Sequence, residues 1–274
     1  MFLPLLLASS GSSFVIPSKC SIGHSQLHVA TPLDTAIGAK EKLLNLLQQG
    51  EDENSPDLTP YLDILKQSYA ESNIDARYSS KPDYNGDWGN VNIPAFQGRL
   101  DLTHDGLPVY TIGRLTFNLI PSAKDVVVAV ERMVQRVHPV VDPANIPAKE
   151  EVPEALQEAL QQNLEQLRFN KIDTLFRIPR TNVRGILRTE GYTMPNPDEE
   201  NRYDTWFVGG LCMPQEEVDK QEWTKVFGTE KKLKSKLHYT LPNPMPAYQT
   251  VEYLDEDLRV SVGNRGTLMI VRRE

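Results

Sequence analysis

The chain has 274 residues, two cysteines and a formal net charge of −8. With 39% hydrophobic and 24% charged residues it can bury a core, and two cysteines exclude a disulfide-stapled scaffold. The acidic balance argues against binding to a nucleic-acid backbone, and the absence of an apolar run of about 18 residues argues against a transmembrane helix. Twenty prolines disfavour a bundle of long helices. We therefore expect a mixed or β-rich fold.

Residues 1–33 differ in composition from the rest of the chain. Phe2–Ala8 is an apolar run of signal-peptide length, and a Ser-rich stretch without acidic residues follows it, as in transit peptides. The two features in tandem resemble the bipartite presequence of algae whose plastids came from a secondary endosymbiosis. In such presequences Phe follows the signal cleavage point, as Phe14 does here. The resemblance implies a signal plus plastid transit segment; an ordinary secretory signal or a disordered N-terminus is the alternative.

Two helices are predicted next, within residues 34–75. Asp34–Gln49 has an apolar face of isoleucine and leucines, and Gly50 follows it as a stop signal. Thr59-Pro60 opens the second helix, because proline is favoured in the first helical turn, and this helix is expected to end near Asn73.

From Tyr84 onwards the pattern is typical of strands. Gly98–Leu102 alternates, Thr103–Gly106 contains the Asp-Gly of a tight turn, and Val109–Leu119 is a β-branched and aromatic run. Asp125–Val137 fits either a strand or a helix, and its valines favour a strand.

Pro153–Phe169 has leucines at spacings of four and three opposite a face of Glu and Gln, which predicts an amphipathic helix. We expect this helix to pack on a sheet. The alternative, a helix on a membrane surface, would require a basic polar face.

Short strand-like segments make up the rest of the chain, and turn residues separate them. They are Val183–Thr193, Tyr203–Leu211, Lys236–Leu241, Tyr248–Leu254, Leu258–Val262 and Thr267–Arg272. Gly263-Asn264 is predicted to form a two-residue hairpin between the last two. Eight or nine short strands at close spacing predict a sandwich or a barrel.

No specific catalytic motif occurs: the sequence lacks a P-loop, a dinucleotide-binding glycine motif, a nucleophile elbow and a zinc-protease motif. His104 and His138 are expected to face solvent. Gly209-Gly210 is interpreted as a bulge or a close approach of two chains rather than a phosphate site. We therefore predict no catalytic residues, no metal ligands and no cofactor site, so the chain is not expected to be an enzyme.

A Gly-x-Trp sequence, Gly86-Asp87-Trp88, lies at the start of the β region. Lipocalins carry Gly-x-Trp on their first barrel strand, where the Trp closes one end of an eight-stranded barrel and an Arg near the last strand stacks over it. An indole face attracts a guanidinium. This similarity implies that Trp88 is buried at a barrel end, with Arg259 or Arg265 near its face.

The C-terminal stretch from residue 253 to 271 carries a second resemblance. Tyr-Leu-Asp-Glu is followed by Leu-Arg-Val-Ser, then Gly, a polar pair, Gly and an apolar strand. This order is similar to the C-terminal signature of the plastid lipid-associated proteins, also called plastoglobulins or fibrillins, although Val262 stands where that family usually has Arg. The residues that match are Tyr253, Asp255, Leu258, Arg259, Gly263, Arg265 and Gly266.

The family resemblance implies a fold that is mainly β with flanking helices (α+β). It consists of a lipocalin-like antiparallel β-barrel preceded by two N-terminal helices. Residues 34–274 would be a single domain, with the helices in 34–75, the barrel in 84–274 and a helical insertion near 153–169. It implies non-catalytic binding of a lipid or lipid-soluble molecule, such as a quinone, carotenoid, other isoprenoid or fatty acid. The location implied is the plastid, in the stroma or associated peripherally with plastoglobules or thylakoids.

Two other functions stay open. The protein could instead be a structural coat of plastoglobules or thylakoid surfaces without an interior ligand, or an enzyme with an unrecognised site. Asp255, Glu256 and Asp257 are expected to pair with nearby arginines across strands. They are not expected to form a metal site, because successive side chains of a strand point to opposite faces.

Overall fold

The computed structural model describes residues 32–78, 83–93, 96–140, 157, 164–179, 181, 183–216, 220–227 and 236–274. The strands are β1 (Gly86–Asn90), β2 (Asp101–Leu102), β3 (Pro108–Thr111), β4 (Val127–Pro139), β5 (Arg168–Arg177), β6 (Arg184–Pro195), β7 (Arg202–Pro214), β8 (Leu237–Leu254), β9 (Leu258–Gly263) and β10 (Leu268–Arg273). The α-helices are α1 (Pro32–Gln48), α2 (Thr59–Glu71), α3 (Ile112–Leu115) and α4 (Lys220–Phe227). The predicted presequence, residues 1–33, lies almost wholly outside the described residues.

Eight of these strands close an antiparallel barrel, which confirms the predicted barrel. Each strand from β4 to β10 pairs with the next, and β1 completes the ring by pairing with both β10 and β4. Trp88 of β1 lies opposite Arg273 of β10 on one side and Gln135 of β4 on the other. The short strands β2 and β3 form a hairpin on the first residues of β4, outside the ring.

The strand interpretation of Asp125–Val137 is correct, because β4 runs from Val127 to Pro139. The strands β6, β7, β9 and β10 begin and end within three residues of the predicted segments. The Asp-Gly turn is also confirmed: Gly106 has a φ of +81° and donates its N–H to the Thr103 carbonyl oxygen at 2.9 Å.

The predicted strand Val109–Leu119 is too long. β3 ends at Thr111, whose hydroxyl oxygen accepts the Arg114 N–H at 3.2 Å and caps the short helix α3. The chain then turns at Phe117, where φ is +54°. A local cap and a turn therefore override the β propensity of the segment.

The predicted strand Gly98–Leu102 is shorter than expected. Only Asp101–Leu102 pair, and Leu100 and Leu102 are exposed rather than buried on one side. The reason is that β2 lies at the free edge of the outer hairpin.

The two predicted strands Lys236–Leu241 and Tyr248–Leu254 belong to one long strand, β8. Its pairing with β7 is interrupted between Thr240 and Met245, and Pro242 and Pro244 lie in this interruption. Proline is tolerated there because no ladder N–H is needed.

The last hairpin has a three-residue loop rather than the predicted two-residue loop. Gly263 donates its N–H to the Thr267 carbonyl oxygen at 2.9 Å, and Gly266 provides the positive φ of +74°. Three-residue hairpin loops commonly end with a residue in this left-handed conformation.

The predicted helix Pro153–Phe169 lies mostly outside the described residues. Within them, Leu164–Gln166 form a single 3-10 turn, and β5 starts at Arg168. The end of the predicted helix is therefore wrong, because its last residues belong to the barrel.

The helices α1 and α2 share an apolar cluster with β8, β9 and β10. Leu43 and Leu65 are buried in it with Val260 and Ile270 of the sheet. The ring of Tyr69 on α2 meets that of Tyr253 on β8 edge to face, with centroids 6.2 Å apart. No helix among the described residues has the length and apolar character needed to cross a membrane.

Candidate functional site

Trp88 fills the interior at one end of the barrel, which we call the closed end. Its side chain has no exposed surface, and its indole Nε1 donates to the Tyr84 carbonyl oxygen at 3.0 Å. The Tyr84 ring stacks on that of Tyr203 with centroids 3.7 Å apart. Trp88 lies on β1, Tyr84 lies just before that strand, and Tyr203 lies on β7. Together the three aromatic side chains fill this end of the barrel.

Two guanidinium groups lie at the Trp88 ring. The Arg259 Cζ is 4.9 Å from the ring centroid, and the Arg273 Cζ is 4.3 Å from it. The sequence predicted either Arg259 or Arg265 near the face of Trp88, and it is Arg259 that lies there. Arg265 is exposed in the β9–β10 turn at the opposite end of the barrel. The sequence reasoning missed Arg273.

Gly86 makes room for Arg273. A Cβ atom at Gly86 would lie 2.5 Å from the Arg273 Nη1 atom, and the φ of +132° at this residue is also unfavourable for other residues. The positive φ therefore favours glycine at this position, and the absence of a Cβ lets the end of the flexible Arg273 side chain lie beside the tryptophan.

Arg259 is completely buried and only partly hydrogen-bonded. Its Cζ is 4.6 Å from the Tyr84 ring centroid, and its Nη2 donates to the Gln135 side-chain oxygen. Among the described residues, its Nε and Nη1 have no hydrogen-bond partner and no carboxylate pairs with it. Burial lowers the pKa of Arg259, although a guanidinium stays protonated at neutral pH.

Asp255 is the centre of the C-terminal motif. It accepts the Tyr253 hydroxyl at 2.8 Å, the Leu258 backbone N–H at 2.7 Å and the Lys40 ammonium at 2.6 Å. Lys40 also pairs with Asp257. These acids therefore connect the β8–β9 turn to helix α1, and only the 3.5 Å contact of Asp257 with Arg272 resembles the predicted pairing across strands.

Burial raises the pKa of Asp255, but the hydrogen bonds from Lys40 and Tyr253 outweigh it and hold that pKa below its ordinary value. Burial likewise lowers the pKa of Lys40, and the hydrogen bonds to Asp255 and Asp257 raise it above its ordinary value overall. Both shifts favour the charged pair.

Beyond the closed end, the barrel encloses a cavity of about 760 Å³. It opens at the opposite end, the mouth, where Phe117, Tyr248 and Arg265 line it and are exposed. The middle of its wall is mainly apolar and includes Met133, Ile172, Leu187, Phe207 and Met269. Ligand pockets in proteins have volumes of about 300–1,000 Å³.

Five buried polar side chains line the cavity: Gln135, Asn170, Thr174, Thr205 and Gln249. Four of them, Gln135, Asn170, Thr205 and Gln249, come from four different strands, and we call these four the polar floor. The Gln135 Nε2 donates to the Asn170 Oδ1 at 3.1 Å, and the Thr205 hydroxyl lies 2.9 Å from that of Thr193. The Nε2 of Gln249 has no hydrogen-bond partner in the part of the chain that the structure describes. Amides and hydroxyls in an enclosed cavity give a bound molecule a fixed orientation.

Other features singled out from the sequence lie away from this cavity or have a structural role. His104, His138 and His238 are exposed, and His138 contacts Asp87 at 2.9 Å. Gly210 lies so close to β6 that a Cβ would be 1.9 Å from the Arg188 oxygen, and the ladder is irregular at Gly209. The glycine pair is therefore a bulge and a close approach, as predicted.

Comparison of the chain with protein-family models, with curated proteins and with solved structures found no match. Within the described part of the chain, no group of three or more His, Cys, Asp and Glu side chains could hold a metal ion. The cavity and the polar floor are therefore the structural basis of the function proposed below.

Proposed function

We propose that the protein binds or carries a lipid or lipid-soluble small molecule in its barrel. The observation that carries the proposal is the cavity of about 760 Å³, which has a mainly apolar wall and ends on the polar floor. An apolar guest would release the water that otherwise contacts Met133, Ile172 and Phe207, which favours binding in proportion to the area covered. No catalytic step is part of this proposal.

The barrel supports the lipocalin-like part of the resemblance in three respects. It has eight strands, Trp88 lies at one end, and Arg259 lies over the indole. On this basis we propose that the chain resembles the plastid lipid-associated proteins in fold and function. The plastid location is part of the same proposal and is supported by the Phe14 sequence pattern. A fluorescent fusion to residues 1–33 should enter a plastid, and Phe14→Ser should stop it short of the stroma.

A coat protein of lipid globules or thylakoids is the second candidate. It is favoured by exposed apolar side chains at Leu100, Leu102, Phe117 and Val127, which a water-facing surface does not require. A coat protein would use this outer surface and leave the cavity empty.

Solvent extraction of the protein purified from its native source separates the two candidates. A carrier should yield one lipid or pigment per chain, identified by mass spectrometry. Introducing a large side chain into the cavity wall, as in Leu187→Trp, should abolish that yield, whereas Leu100→Ser on the outer hairpin should not. An empty extract from a protein that coats lipid droplets would contradict the carrier function.

A further inference from the structure

The hydrogen bonds at the polar floor have a direction that Arg259 sets. A guanidinium can only donate, so the Gln135 side-chain oxygen must accept from Arg259. The Gln135 Nε2 then donates to the Asn170 Oδ1 at 3.1 Å. The Asn170 amide is thereby oriented with its Oδ1 towards Gln135, so its Nδ2 hydrogens are the donors it offers to a molecule in the cavity.

Gln249 adds a second donor to the same cavity. Its side chain is 5% exposed and lines the cavity, and its buried Nε2 has no hydrogen-bond partner within the described part of the chain. Leaving a buried amide unpaired costs about 1–3 kcal/mol, so a ligand that accepts from this group would be favoured.

Thr205 does not add a donor. The Thr193 hydroxyl donates to the Asp204 carbonyl oxygen at 2.9 Å, so in the contact between the two hydroxyls Thr205 must be the donor. Its single proton is therefore used within the protein. This makes Thr205 a control position on the same floor.

The charge behind the floor is positive, and no carboxylate in the described ranges pairs with it. Arg259 is fully buried, Arg273 lies on the same indole ring, and the hydrogen bonds of Arg273 go to main-chain carbonyl oxygens. A buried charge without a partner is costly, and an anion placed nearby reduces that cost. A neutral ester or alcohol would accept hydrogen bonds from the floor but would not balance this charge.

The apolar wall begins directly on the mouth side of the floor. Met133 lies two residues from Gln135 on β4, Ile172 lies two residues from Asn170 on β5, and both line the cavity. Side chains two apart in a strand share a face, so the wall continues from the floor towards the mouth. A guest with a polar head and an apolar chain would match this order.

We infer that the cavity selects an amphiphile with an anionic head, a long-chain monocarboxylic acid. Its carboxylate accepts hydrogen bonds from the Asn170 and Gln249 amides, and its chain extends past Met133 and Ile172 towards the mouth. This inference rests on the proposed function and names the class of ligand for it.

The test compares three probes with the same chain length: hexadecanoic acid, its methyl ester and hexadecan-1-ol. Their dissociation constants are measured by calorimetry on the delipidated full-length protein. The acid should bind at least about tenfold more tightly than the ester, which corresponds to one charged hydrogen bond. Gln249→Leu and Asn170→Leu should each weaken binding of the acid more than binding of the ester, because the hydrogen bond to a charged acceptor is the stronger one, and so reduce this preference by up to about tenfold. Thr205→Val should keep the preference.

Equal or tighter binding of the ester or the alcohol would overturn the inference and leave the proposed function standing. The same holds if Gln249→Leu, folded by circular dichroism, keeps the full preference for the acid. If none of the three probes binds, the inference fails, whereas the proposed carrier function fails only if the solvent extract of the natively purified protein is empty.

Discussion

The Arg273 guanidinium lies 4.3 Å from the centroid of the Trp88 ring, although the two residues belong to the last and the first strand. The same group donates from Nε to the Glu256 carbonyl oxygen at 2.7 Å, from Nη1 to that of Asn85 at 2.7 Å and from Nη2 to that of Asp83 at 2.6 Å. The Arg273 side chain therefore links the residues just before β1 and the β8–β9 turn to the Trp88 ring at the closed end.

Arg273→Met should destabilise the fold by about 2–4 kcal/mol, because it leaves three carbonyl oxygens without a charged donor and removes a cation from the indole face. The neighbouring Arg272 is a matched control: it is about half exposed and meets Asp257 at 3.5 Å. Arg272→Met should cost about 0–1 kcal/mol. Denaturant unfolding of both variants measures the difference, and equal midpoints would show that Arg273 does not fasten the closed end.

Trp88→Ala should cost about 3–5 kcal/mol, because the indole is fully buried and its removal leaves a cavity. Trp206 offers a control on β7, since its side chain is only partly buried on the outer face. Trp206→Ala should have the smaller effect. A thermal unfolding curve unchanged by Trp88→Ala would be inconsistent with a tryptophan plug.

The sequence allowed the location of Trp88 to be predicted but not the full set of its neighbours. The Gly-x-Trp sequence identifies the tryptophan, and Arg259 and Arg265 could be named because the predicted hairpin at Gly263-Asn264 puts them on adjacent strands. Arg273 was missed because it lies beyond the recognised motif. The space beside Gly86 in which its guanidinium lies could not be read from the sequence.

The polar floor could not have been found from periodicity. On β5 the inward side chains include Asn170 and Thr174 and the outward ones include Lys171, so apolar and polar residues do not alternate. For that reason β5 was not predicted at all. Strand prediction by alternation assumes an apolar interior, and a cavity with polar lining violates that assumption. Helix α4 was missed as well, although Trp223 and Phe227, four residues apart and both buried, are spaced as on one face of a helix.

Lys40→Met should change the pH dependence of stability. The folded-state pKa of Asp255 is held below its ordinary value of 3.8, so its contribution is present above that value and is lost as the pH falls through the folded pKa. Removing Lys40 lets this pKa rise, so the variant should lose less stability between about pH 5 and pH 2. At neutral pH it should be less stable by about 1 kcal/mol.

At alkaline pH, the contribution of Lys40 to stability changes with pH in the opposite direction. The folded-state pKa of Lys40 is raised above 10.5, so the stabilisation is complete below that value and is lost as the pH rises through the folded pKa. Lys66→Met is the control, because Lys66 binds Glu252 at 2.6 Å but is 60% exposed. Urea midpoints across the pH range should shift for Lys40→Met and stay nearly unchanged for Lys66→Met.

Cys212 should be inert to thiol reagents in the folded protein. It is buried, and burial raises the pKa of its thiol to about 12, whereas the reactive species is the thiolate. With Cys20→Ser leaving one thiol, labelling at mildly alkaline pH should be slow without denaturant and complete in urea. Rapid labelling of the native protein would mean that the apolar cluster around Cys212 opens readily.

Deleting residues 253–274 should abolish folding. These residues supply β9 and β10, which lie between β8 and β1 in the ring, and the deletion leaves the edges of both remaining strands unpaired. It also removes Arg259 and Arg273 from the Trp88 ring. Removing Glu274 alone is the control, since its side chain pairs with a half-exposed Arg132 at 2.6 Å and should contribute little. Near-ultraviolet circular dichroism should show no fixed aromatic environment after the long deletion. A long deletion that stays folded and loses only a hydrolytic activity would replace the carrier proposal with an enzyme.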